Sequence, residues 1–87
     1  MKSQRVLASV ERLVDARTLL ASGEARRIRE AAGLSLENVA MEIGVSASAV
    51  YRWERGDRVP RGRAAGEYAE LLLRLRDIVE RPWLPAD

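Results

Sequence analysis

The sequence predicts an all-α fold, a compact five-helix domain, from three observations. Apolar residues recur at spacings of three and four in every long segment, no stretch alternates apolar and polar residues with period two, and serine and glycine punctuate the chain at intervals suited to short helices. At 87 residues the chain has the length of one small domain. With 47% apolar and 32% charged residues, its composition is that of a folded globule and not of a disordered tail.

Within residues 3–21, Val6, Leu7, Val10, Leu13, Val14 and Leu20 repeat at helical spacing, with Arg5, Glu11, Arg12 and Asp15 largely opposite. That pattern is an amphipathic leader helix, assigned to 1–21. Ser22-Gly23 interrupts it, and Ser22 is the expected N-cap of a second helix through Ala25, Ile28, Arg29 and Ala32 that stops at Gly33. Ser35 then caps a third helix, whose Leu36, Val39, Ala40 and Ile43 share one face and which ends at Gly44. Only Gly44-Val45 precedes Ser46, the cap of a fourth helix with Val50 and Trp53 inward and Gly56 as its stop. Two short helices joined by so brief a glycine turn are a helix-turn-helix signature. Trp53, three residues after Val50 on the inward face, reads as core and not as a nucleotide-stacking ring. An arginine-rich loop with Pro60 leads into a last long helix, about Arg63 to Arg81, with an apolar stripe of Tyr68, Leu71, Leu72, Leu75, Ile78 and Val79. The pairs Glu70/Arg74, Arg76/Glu80 and Asp77/Arg81 support it at i,i+4. The unit so defined spans 22–81, and 82–87, with Pro82 and Pro85, forms a tail.

The composition excludes several functions. The chain has no His and no Cys, so imidazole and thiolate metal sites, disulfides and His- or Cys-based catalysis are excluded. No glycine-rich phosphate loop is present either, and the expectation is a protein that is not an enzyme and carries no metal or cofactor. No apolar run approaches the 18 residues of a membrane span, and a cytoplasmic protein is expected. The net charge is only +2, yet fourteen of the fifteen basic residues are Arg. Their distribution is uneven: residues 45–63 hold five basic residues against two acidic ones, while 64–87 hold three against five. The positive surplus therefore lies on the helix-turn-helix.

Across residues 22–75 the segments Arg27-Ile28-Arg29-Glu30-Ala31-Ala32-Gly33-Leu34-Ser35, Glu37-Asn38-Val39-Ala40, Ile43-Gly44-Val45-Ser46 and Ser48-Ala49-Val50-Tyr51-Arg52-Trp53-Glu54-Arg55-Gly56, continuing to Pro60, resemble the Cro/Xre, lambda-repressor-like helix-turn-helix family. Each mark has a physical reason. Ala40 lets the two motif helices cross closely, and Gly44 supplies a left-handed turn that costs other residues about 1 kcal/mol or more. The resemblance implies that the helix from Ala47 to about Arg55 lies in the DNA major groove. Ser46, Ala47, Ser48 and Arg52 then face the bases with Tyr51 beside them, and Arg52 is suited to guanine O6 and N7. Ser35, Arg55, Arg58, Arg61 and Arg63 fall on the phosphate backbone, and Arg29 and Glu54 correspond to an internal ion pair. Two positions depart from the pattern. Leu36 stands where the family often has Gln, and Ala47 replaces a commonly polar residue, which points to a modest interface or one that reads DNA shape.

The expected function is a sequence-specific transcription regulator similar to phage or prophage Cro and repressor proteins, binding double-stranded DNA. Alternatives of another kind are an antitoxin whose terminal helices cover a protein partner, and a DNA-binding partner of a recombinase. Val6, Val10, Leu13 and Leu20, with Leu72, Leu75, Val79 and Trp83, are more apolar surface than a monomer of this size readily covers. A two-fold homodimer through the terminal helices is expected, placing two recognition helices about 34 Å apart on a palindromic operator.

Overall fold

The computed structural model describes residues 10, 11, 14, 15 and 17–81. These form five helices: α1, helical at every described position within 10–21, then α2 (Glu24–Ala31), α3 (Leu36–Ile43), α4 (Ala47–Arg55) and α5 (Gly62–Glu80). The described residues contain no strand. Val6, Leu7, Leu13, Trp83 and the tail 82–87 lie outside the described residues.

Serines set the starts of the motif helices as expected. The Ser35 hydroxyl accepts the Asn38 N–H at 3.0 Å while the Asn38 side chain accepts the Ser35 N–H at 2.9 Å, a reciprocal cap for α3. Ser46 accepts from the Ala49 N–H at 3.1 Å and starts α4. Both motif helices end on glycines that adopt left-handed backbone conformations, Gly44 at φ 75° and Gly56 at φ 78°. At the first, the chain reverses at once and the Val45 N–H closes the turn on the Ala40 carbonyl at 3.0 Å.

The junction between α1 and α2 differs from expectation. Gly23, not Ser22, occupies the N-cap of α2, and it makes no side-chain cap. Ser22 faces backward, its hydroxyl donating to the Leu19 carbonyl at 3.2 Å, so it finishes α1 instead of starting α2. Two cap-competent residues stood side by side, and the spare carbonyl at the end of α1 captured the hydroxyl. The phase of α1 also differs. Leu19 is its buried residue among those described, Leu20 is half-buried, and Val10 and Val14 are exposed.

One core serves the whole domain. Leu19, Ala25, Ile28, Val39, Ala40, Ile43, Val50, Trp53, Tyr68 and Leu72 pack together, with α3 against α4 and α2 against α5. Leu72 is only 1% exposed, so the apolar outer surface of α5 is carried by Ile78 and not by Leu72. Ala40 is buried where α3 meets α4, as its small side chain requires. On α5 the pairs Arg74–Glu70 and Arg81–Asp77 form, at 2.8 and 3.1 Å. Arg76 and Glu80 make no such pair.

Candidate nucleic-acid interface

α4 has two distinct faces. Val50 and Trp53 point into the core, and the Trp53 and Tyr68 rings meet at 5.0 Å with their planes tilted by 45°. Ser46, Ser48, Tyr51, Arg52 and Arg55 are exposed, so the helix presents a mostly polar ridge at the surface. Ala47 is half-buried and packs against the core, which leaves it little to offer a ligand. Ser46 has already committed an acceptor lone pair to its own helix, but its hydroxyl proton is free to be donated.

The far end of α4 is held by a bidentate ion pair. Arg29 on α2 donates through Nε and Nη2 to the two Glu54 carboxylate oxygens, at 2.6 and 2.9 Å, and through Nη1 to the Leu34 carbonyl at 2.9 Å. The side chains are 12% and 5% exposed, so the pair is internal. Hydrogen bonding to Glu54 raises the already high pKa of Arg29 against the opposing effect of burial and keeps the guanidinium charged. Leu36, at the start of α3, lines a small hollow beside Arg29, Tyr51 and Glu54. There it fills space and brings no hydrogen bond.

The five arginines of 45–63 are not equivalent. Arg63 donates to Glu67 at 2.7 Å, one turn along α5. Arg55 Nη1 donates to the Tyr51 hydroxyl at 2.7 Å, and its Nε lies 3.4 Å from the Asp57 carboxylate. Its bond to the Tyr51 hydroxyl is the main reason the Arg55 pKa is raised. Arg52, Arg58 and Arg61 have no carboxylate within ion-pair distance among the described residues. These three, with Trp53, Val59 and Pro60, line a concavity of about 540 Å³ beside the C-terminal half of α4. Pro60 is fully buried and pins the loop, so the exposed Arg58, Val59 and Arg61 are held against α4. The positive surface is thus narrower than the residue count implied. Ser35 is exposed at the start of α3, with its hydroxyl accepting from Asn38.

A glycine turn between two crossing helices, an exposed polar ridge on the second and, at its end, guanidinium groups without a carboxylate partner among the described residues define a DNA-binding helix-turn-helix protein. Residues 26–73 match the helix-turn-helix family model, more than half of the chain, and the chain belongs to that family, of the Cro/Xre type. No match was found among curated proteins or among solved structures. No described helix is long and apolar enough to cross a membrane.

Proposed function

We propose that the protein is a sequence-specific transcription regulator of the phage or prophage Cro and repressor kind, which inserts α4 into the major groove of an operator. The observation that carries this reading is the convergence of Arg52, Arg58 and Arg61, none of them paired to a carboxylate among the described residues, on one side of an exposed polar helix. Arg52 and Ser48 face base edges, with Ser46 and Tyr51 beside them. Arg58 and Arg61, together with Ser35 and Arg63, face phosphates, where affinity is strong but carries no sequence information.

The protein acts as a two-fold dimer through its terminal helices. Val10 and Val14 on α1 and Ile78 on α5 are each more than half exposed. The groove near them is lined by Asp15, Leu73, Arg76, Asp77, Glu80 and Arg81. It carries both signs of charge, and a two-fold interface, which sets a patch against its own copy, needs both. Selection of bound duplexes from a random pool tests the function, and sedimentation tests the assembly. A palindromic consensus and a dimer are expected. Recovery of no consensus removes the sequence-specific function, and a monomer both free and on DNA leaves these ends to a different protein, as in an antitoxin.

A further inference from the structure

Arg55 and Tyr51 lie one turn apart on α4. Besides the 2.7 Å bond to the Tyr51 oxygen, the Arg55 guanidinium carbon sits 5.3 Å from the centre of the Tyr51 ring. Asp57, just past the end of the helix, holds the same guanidinium from the other side at 3.4 Å. A planar guanidinium has enough fixed N–H groups to serve both partners at once. The arrangement decides what Tyr51 can do. A phenolic oxygen accepts well at one in-plane position and donates through its single proton. With the accepting position filled by a cation, the capacity left is donation, and the two bonds polarise each other in the same direction. Tyr51 is 46% exposed on the outer face of α4, so that proton is available to a ligand.

We infer that Arg55 is a positioning residue that fixes the Tyr51 hydroxyl as a hydrogen-bond donor, so that Tyr51 selects acceptor atoms on a base edge. In the major groove these are guanine O6 and N7, adenine N7 and thymine O4, whereas the amino groups of cytosine and adenine are disfavoured. The inference rests on the DNA reading of α4 proposed above. Its role for Arg55 differs from a phosphate contact, and the two make different predictions.

The test is selection from a randomised duplex pool, with salt-dependent affinities, for the wild type, Tyr51→Phe, Arg55→Met, Arg55→Lys and the Tyr51→Phe/Arg55→Met double variant. Tyr51 and Arg55 are both exposed, so the variants keep the fold, and circular dichroism checks this. Tyr51→Phe and Arg55→Met each lower the preference at the same base pair by about fivefold, the size of one hydrogen bond, and the double variant lowers it no further. Arg55→Lys, which keeps a cationic donor, retains the wild-type preference. An Arg55→Met variant that binds every sequence more weakly, with a salt slope reduced by about 1 and the base preference intact, overturns the inference and makes Arg55 a phosphate ligand. A wild type without any sequence preference removes the DNA-reading function itself, a different and separable failure.

Discussion

Glu54→Gln tests the internal ion pair most sharply, because it keeps the shape of the side chain and removes the charge. In the native domain Arg29 is 12% exposed and makes three hydrogen bonds, two of them to Glu54. After the change, the guanidinium stays in the same place without a counter-charge. Breaking a buried pair from one side costs about 3–5 kcal/mol, and the residual exposure of Arg29 favours the lower end, about 3 kcal/mol. That is a large share of the roughly 4–13 kcal/mol expected for a domain of this length. Arg29→Met should cost at least as much, since it leaves a carboxylate only 5% exposed and also orphans the Leu34 carbonyl. Urea unfolding followed by circular dichroism measures both. With a slope of about 1 kcal/mol per molar for a small domain, the midpoint falls by about 3 M. The double change Arg29→Met/Glu54→Leu should recover most of the loss, because a well-packed apolar pair needs no desolvation of charge. Single variants that lose less than about 1 kcal/mol behave as an exposed surface bridge does and refute the reasoning.

Four further outcomes are expected. The Tyr68 hydroxyl is buried with no hydrogen-bond partner among the described residues, so Tyr68→Phe leaves stability unchanged or raises it by up to about 1 kcal/mol, and a clear loss in urea unfolding contradicts the unpartnered placement. Burial, reinforced by Glu54 and opposed by Arg29, pushes the Tyr68 hydroxyl up from its ordinary value of 10.0. A raised pKa keeps its stability below the unfolded value and loses it above, so the wild type weakens as pH climbs past about 10, more steeply than Tyr68→Phe, and parallel pH profiles contradict this. Gly44→Ala meets no atom within 4 Å but keeps φ at 75°, so it costs about 1–2 kcal/mol in thermal or urea unfolding through backbone strain alone. Arg58→Ala and Arg61→Ala each weaken binding to all duplexes alike and lower the salt slope by about 1, read by fluorescence anisotropy at several salt concentrations.

The helix-turn-helix was legible because each of its boundaries is set by local chemistry. Ser35 and Ser46 accept from backbone N–H groups three residues on, and Gly44 and Gly56 take conformations that few other residues tolerate. The Arg29–Glu54 pair, 25 residues apart, was legible only through the family resemblance, since nothing local links the two. Where two local solutions competed, the residues alone did not decide. Ser22 could serve the end of one helix or the start of the next, and placing Leu20 in the stripe of α1 hid Leu19, whose burial depends on how α1 meets the core. The interface shows the same division. Arg63–Glu67 was available from i,i+4 spacing, as Glu70/Arg74 was, and would have trimmed the positive patch in advance. The Tyr51–Arg55–Asp57 contact gave no such signal, because a phenol is not a charge and Asp57 lies beyond the helix end. Which arginines stay unpaired is a property of side-chain geometry that a count of charges does not contain.

The central claim, that α4 reads bases in the major groove, is tested most directly by running the random-pool selection in parallel with the wild type and Arg52→Ala. Arg52 is exposed on α4 and has no carboxylate partner among the described residues, so its removal takes away the proposed base contact without disturbing the fold. Specificity relaxed at one base pair, with the rest of the consensus kept, is the expected result. An unchanged consensus, whether or not affinity falls, contradicts the placement of Arg52 at the base edges.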